Sequence, residues 1–179
     1  AEIKYRYAVE SLVTLGYSLV NLGANELKLS AGQLLYTIAN LDPEKNPISS
    51  ANVGLAAFDS GLTSRYRVVD AGRRKIGAVA VLGREHVKNL TSGDEIVSMP
   101  PEAALAEIAP LLARENCDHQ LLLVHGTLEE AQALARSFPQ FDLVAAAGGA
   151  DEPPNRLLRI PGANAKMIEI GKKGTYVVV

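Results

Sequence analysis

The chain has 179 residues, of which 47% are hydrophobic and 21% charged, so it encodes a folded domain with a sizeable core and not a disordered tail. Its formal net charge of −2, with no basic run longer than residues 73–75, excludes an electrostatic nucleic-acid binder. No apolar run approaches the roughly 20 residues of a membrane span. Since a helix begins the chain almost at once and three valines end it, we expect residues 1–179 to form one domain of a longer protein.

The first half of the chain predicts two helices, two strands and a hairpin. Apolar residues at helical spacing predict a first helix, which Gly16 ends: Ile3, Tyr7, Ala8, Leu12 and Leu15. The run YSLVNLG predicts a short buried strand, and a second helix begins near Ser30. The run ISSANVGLAAF predicts one further strand, and residues 66–82 predict a hairpin around the turn GRRK. Residues 84–99 are predicted to be irregular.

The second half alternates helices and strands. The run PPEAALAEIAPLLAREN predicts a helix that begins at a proline and that Pro110 should kink. A buried strand, HQLLLVHG, leads to a helix for which Thr127 and Glu130 predict a capping box. Another buried strand, FDLVAAAGG, precedes RLLRI, AKMIEIG and GTYVVV, which are predicted to close the fold as antiparallel strands. Helices alternating with buried strands predict a layered α/β fold.

Five sequence motifs follow one another along nearly the whole chain. They are LGYSLVNLGANEL, SANVGL, KIGAVAVLG, a proline-led helix followed by LLLVHG, and LARSFPQFDLVAAAGGADE. This order resembles the catalytic domain of 5′-nucleotidase-type metallophosphoesterases, in the calcineurin-like superfamily, where the corresponding corner reads GNHE and the last segment ends in GGHSH. The resemblance implies a layered α/β sandwich with mixed sheets flanked by helices. It also implies that the first strands of that fold would precede residue 1.

The resemblance implies a site for two divalent cations, Mn²⁺, Zn²⁺ or Mg²⁺, about 3.5–4 Å apart and bridged by a carboxylate and a hydroxide. Several family ligands have no counterpart here. Ala24 stands at the position of the asparagine ligand, and Asn25 at that of the catalytic histidine. Ala150 and Glu152 stand at the closing His-x-His pair, so that His125 is the histidine that is kept.

Oxygen donors could partly rebuild such a site, since hard cations accept carboxylate and amide ligands. The candidate metal residues are then His125, Asn25, Asp151 and Glu152, and those expected to shape the site are Gly23, Glu26, Gly148 and Gly149. Without the resemblance, His125 would be an ordinary hydrogen-bonded histidine at a strand end and Asn25 a helix-capping residue. His86 and His119 are predicted to be solvated.

Three functions stay open. The loss of most comparable ligands favours a non-catalytic domain, without a cofactor, that has a structural or interaction role and contacts another segment or domain of its protein. The resemblance implies a periplasmic or extracellular location. The second is a metal-dependent hydrolase of phosphate esters or nucleotides, whose site an upstream segment completes. The third is a module that binds a small molecule or nucleotide through backbone N–H groups at Gly23 and at residues 148–149.

Overall fold

The computed structural model describes residues 2–90 and 95–171. The helices in these ranges are α1 (Glu2–Thr14), α2 (Ala31–Ala39), α3 (Arg84–Lys88), α4 (Pro101–Arg114) and α5 (Leu128–Ser137), with a 3₁₀ turn at Glu26–Lys28. The strands are β1 (Val20–Asn21), β2 (Ile48–Ser49), β3 (Val53–Leu55), β4 (Arg67–Ala71), β5 (Arg74–Leu82), β6 (Ile96–Ser98), β7 (His119–His125), β8 (Leu143–Ala150), β9 (Leu158–Arg159) and β10 (Lys166–Gly171). None of the described helices is long and apolar enough to cross a membrane.

A six-stranded sheet, in the order β4-β5-β7-β8-β10-β9, is the centre of the fold. Its four inner strands are parallel, and β4 and β9 pair antiparallel at its two edges. The inner strands are long apolar runs, as expected when both faces of a parallel sheet are covered. Two small sheets accompany it, β1 parallel to β2 and β3 antiparallel to β6. The predicted layered, mixed α/β fold is therefore confirmed.

Two apolar clusters hold these layers together. The larger one joins α4 and α5 to the inner strands and includes Leu105 and Ile108 of α4, Leu134 of α5 and Leu122 of β7. In the smaller one, α2 and the two small sheets pack around buried residues that include Val9, Leu22, Leu34, Ile38 and Leu55. Leu82, the last residue of β5, belongs to the smaller cluster, so β5 joins the two halves of the fold.

The apolar face predicted for α1 is wrong. Ile3 and Leu15 are 69% and 72% exposed, and Tyr7 is exposed as well. The buried side chain of this helix is Val9, with the partly buried Tyr5 four residues before it on the same stripe. The helix therefore packs on the domain through a narrow face that includes Tyr5 and Val9. The spacing of apolar residues in the sequence did not predict this face.

Three predictions about the strands need correction. The run ISSANVGLAAF splits into β2 and β3, which lie in different sheets. Residues 84–99 contain α3 and β6, which are too short to give a periodic signal. The run AKMIEIG forms β10, which is parallel to β8 and antiparallel only to the two-residue β9. The predicted strand GTYVVV lies outside the described residues.

The capping box predicted at Thr127 is only half formed. The Thr127 hydroxyl accepts from the Glu130 N–H at 3.1 Å, but the Glu130 carboxylate accepts from the Arg84 N–H at 2.6 Å. Glu130 therefore ties α5 to the start of α3. A reciprocal box forms instead at α2, between Ser30 and Gln33. Pro110 lies within α4, which continues to Arg114.

Candidate functional site

The carboxyl ends of the central strands meet in a layer of glycines. Gly83 follows β5, Gly126 follows β7, and the Gly83 N–H donates to the His125 carbonyl at 2.7 Å. A methyl group built on Gly83 would lie 2.8 Å from Cα of Gly126, and one built on Gly148 of β8 would lie 2.8 Å from the Gly126 carbonyl oxygen. Such contacts are too short for any side chain, so these strand ends approach more closely than alanine permits.

His125 lies beside this layer, at the end of β7, and faces the corner that follows β1. A methyl group built on Gly23 would lie 2.4 Å from Oε2 of Glu26 and 3.1 Å from Nδ1 of His125. Because Gly23 has no side chain, the side chains of Glu26 and His125 can both pack against its Cα. The ring centroids of His86 and His125 are 4.9 Å apart, with an interplanar angle of 60°. The prediction that His86 is solvated in a loop is wrong, because His86 lies on α3 against His125 and is only partly exposed.

Burial is the main influence on the charge of this cluster. It lowers the pKa of His125, the nearby His86 lowers it further, and the Glu26 carboxylate opposes both. On α1, burial together with the charge of Glu26 raises the pKa of Tyr5 to about 12. The buried Tyr5 hydroxyl has no hydrogen-bond partner in the described ranges 2–90 and 95–171. The cluster therefore presents a neutral imidazole and a neutral phenol near one carboxylate at neutral pH.

Ala24 and Asn25, at the corner, make contacts that are unrelated to metal binding. Ala24 packs against the smaller apolar cluster. The Asn25 side chain is exposed, and its Oδ1 accepts from Nζ of Lys28 at 2.8 Å. Asn25 occupies the N-cap position of the 3₁₀ turn, as predicted, but its side chain makes no capping hydrogen bond there. The Asn25 amide is instead bonded to Lys28, the last residue of the same 3₁₀ turn.

The loop after β8 exposes Asp151 and Glu152. Of the predicted site residues, the structure brings Gly23, Glu26 and His125 together, and it places Gly148 in the glycine layer and Gly149 in β8. Within residues 2–90 and 95–171, no group of three or more His, Cys, Asp or Glu side chains is arranged to hold a metal ion. These residues therefore do not fit a two-cation site by themselves.

Asn52, between β2 and β3, was not recognised as a site-supporting residue from the sequence. It is fully buried, and its Nδ2 donates to the Leu82 carbonyl at 2.7 Å while its Oδ1 accepts from the Leu82 N–H at 2.8 Å. The Asn52 side chain thus makes the two hydrogen bonds to Leu82 that the backbone of a neighbouring strand would otherwise make. The signal was available, because a polar amide within an otherwise apolar strand pattern requires buried hydrogen-bond partners.

The glycine layer and the His125 corner occupy the edge of the sheet where α/β folds place their ligand sites, and solved structures show which fold this is. The chain has the metallophosphoesterase fold of the 5′-nucleotidase type. It matches a 5′-nucleotidase precursor from Thermus thermophilus over 94% of this chain and 35% of that one, with a TM-score of 0.72 and 18% identity.

Two further structures share the fold. A calcineurin-like phosphoesterase from Bacillus subtilis matches over 91% of this chain and 57% of that one, with a TM-score of 0.66 and 16% identity. A sulfate thiohydrolase from Thermus thermophilus matches over 90% and 29%, with a TM-score of 0.69 and 17% identity. No family model matches the sequence, and no curated protein sequence matches it either.

The burial of His125 predicts a pH dependence of stability. Because its folded-state pKa lies below the unfolded value near 6.5, the unfolded chain binds more protons as the pH falls below about 6.5. We expect the free energy of unfolding to fall from pH 7 toward the lower folded-state pKa, and His125→Gln to remove part of that slope. Urea unfolding at several pH values measures it. An unchanged slope in His125→Gln would contradict the assignment.

Proposed function

We propose that residues 1–179 form a non-catalytic domain with a metallophosphoesterase fold, and that its role is structural or interactive within a larger protein. The observation that carries this proposal is the corner after β1. Ala24 is packed in an apolar cluster and Asn25 is bonded to Lys28, although Gly23, Glu26 and His125 are still packed together there. On the resemblance, the proposed location is periplasmic or extracellular.

The chemistry of phosphoester hydrolysis supports the same conclusion. Two-metal catalysis needs several fixed donors around each cation and a carboxylate bridging both. The described cluster offers two imidazoles, His125 and the adjacent His86, and one carboxylate, Glu26, and no three such side chains among the described residues are arranged to hold a metal ion. Ala24 has no donor atom, and the amide oxygen of Asn25 already accepts from an ammonium group. A hydrolase would therefore need most of its ligands from other parts of the protein.

The test is hydrolysis of p-nitrophenyl phosphate and of a nucleoside monophosphate, each with Mn²⁺, Zn²⁺ or Mg²⁺. Both the 179-residue chain and the longest natural form of the protein are to be assayed. We expect no turnover above that of the His125→Ala variant or the metal-free reaction. His119→Ala is the matched control, because His119 lies at the other end of β7 and is more than half exposed. Metal-dependent turnover that His125→Ala abolishes and His119→Ala retains would overturn the proposal in favour of a hydrolase.

A further inference from the structure

A cleft of about 490 Å³ lies at the amino ends of β1 and β2, away from the corner that follows the carboxyl end of β1. One wall is the end of α1 and the loop after it, with Val13 and Tyr17. The other wall is formed by residues 67–70 of β4, and residues 44–47 also line the space. The volume is in the range of ligand-binding clefts.

The cleft runs along the edge of β4. Successive side chains of a strand point to opposite faces, so a cleft on one face would contact alternate residues. Here four consecutive residues, 67–70, line it. β4 is the terminal strand of the large sheet and pairs with β5 on one side. Within the described ranges, no other backbone hydrogen bond joins residues 67–71 to the rest of the chain. The free N–H and C=O groups of β4 are therefore available for pairing.

Arg67, the first residue of β4, supplies a positive charge in this cleft. Its Nη2 donates to the Asn46 carbonyl, and its buried Nε has no hydrogen-bond partner among the residues that the structure describes. Within the part of the chain that the structure describes, no carboxylate forms an ion pair with it. Burial lowers the pKa of the Arg67 guanidinium, as expected for a partly desolvated cation. A carboxylate matches the planar fork of arginine in shape and charge.

The other charges of the cleft decide between ligand classes. Glu44 and Asp70 also line it and are exposed, and Lys45 lies 3.7 Å from Asp42. Two carboxylates would repel a small free anion such as phosphate. They are compatible with a longer ligand that places its carboxylate at Arg67 and polar or basic groups elsewhere. Backbone groups along β4 and the apolar surfaces of Val13 and Tyr17 suit an extended peptide.

We propose that this cleft binds an extended polypeptide segment of a partner protein, which pairs with β4 as an added strand and places a carboxylate against Arg67. The inference rests on the proposed function, because it names the surface and the class of partner through which a non-catalytic domain would act. Main-chain pairing with β4 supplies affinity, and the carboxylate fixes the register of the added strand.

The test is a selection of random octapeptides displayed on phage against the folded chain, followed by binding measurements with the enriched peptides made synthetically. We expect enriched peptides to carry a carboxylate among strand-forming residues. Arg67→Gln should weaken their binding at least 10-fold, whereas Arg73→Gln, which removes the same charge from the exposed hairpin turn, should not. Bound peptide should also slow hydrogen exchange of the amides of β4. A thermal melt of each variant establishes that it is folded.

Three outcomes would overturn the inference. The first is that no peptide is enriched, or that enriched peptides bind Arg67→Gln as tightly as the unchanged chain. The second is that acetate or phosphate alone, at low millimolar concentration, displaces the peptides, which would make the cleft a small-anion site. The third is a concentration-dependent dimer that Arg67→Gln abolishes, which would make the occupant a second copy. None of these bears on phosphoester hydrolysis, so failure here is distinguishable from failure of the proposed function.

Discussion

Replacing Asn52 with alanine is expected to lower the free energy of unfolding by about 3 kcal/mol or more. The side chain is fully buried and satisfies both the N–H and the C=O of Leu82, at 2.8 and 2.7 Å, and its Nδ2 also lies 3.3 Å from the Met99 carbonyl. Alanine would leave these backbone groups without a partner in an apolar setting, at a cost of about 1–3 kcal/mol for each unsatisfied group. Urea unfolding followed by circular dichroism measures the change.

Asn40→Ala is the matched control for Asn52→Ala. Asn40 ends α2, is exposed, and its Nδ2 donates to the Tyr36 carbonyl at 2.6 Å. Its substitution makes the same chemical change where water replaces the lost bond, and should cost about 0.5 kcal/mol or less. If Asn52→Ala cost no more than Asn40→Ala, the bridging role given to Asn52 would be refuted.

The second large effect is expected at Gly83, where alanine should cost about 2–3 kcal/mol. The added methyl group would lie 2.8 Å from Cα of Gly126 and 3.1 Å from the His125 carbonyl oxygen, and both of these are backbone atoms. The Glu130 carboxylate, at 2.4 Å, is the flexible end of a side chain, but moving it would weaken its bond to the Arg84 N–H. The ends of β5 and β7 would have to separate, which differential scanning calorimetry or urea unfolding would detect.

Gly32→Ala is expected to change stability in the opposite direction. Gly32 lies in α2, and a methyl group built on it meets no atom within 4 Å. Alanine should stabilise the helix by about 0.5–1 kcal/mol, because glycine in a helix loses more backbone entropy on folding. Glycine-to-alanine substitution is thus expected to lower the free energy of unfolding at Gly83 and to raise it at Gly32. A stabilising Gly83→Ala would mean that the two strand ends are not packed as described.

On the proposed function, these two predictions explain why the packing around the Gly23 corner is kept without the metal ligands that the resemblance implies. Gly83, Gly126 and Asn52 hold strand ends together by backbone contact and buried hydrogen bonds, so their loss would destabilise the fold whatever its function. On the resemblance, Ala24 stands at a ligand position and Asn25 at the catalytic histidine position, and on the proposed function these side chains are free to change because catalysis is not required. On the proposed function, stability retains the glycines and the buried amide.

The sequence by itself determined the parts of the fold that depend on local pattern. The apolar runs of β7 and β8 predicted buried strands, and both strands lie inside the large sheet. Thr127 and Gly72 marked a helix start and a hairpin turn, because capping and positive φ each favour few residue types. The order of the motifs indicated the metallophosphoesterase fold, in which the structure brings the corner at Gly23 beside His125.

Only the tertiary structure decided how distant segments meet. The pairing of β10 with β8 depends on the path of the chain between them, and the contact of His86 with His125 depends on α3, which is too short to predict from periodicity. Glu130 fits a capping box by its spacing, yet its carboxylate bonds to Arg84, 46 residues away in the chain. Local patterns fix backbone conformation over a few residues, whereas these contacts are set by the packing of whole elements, which no local pattern contains.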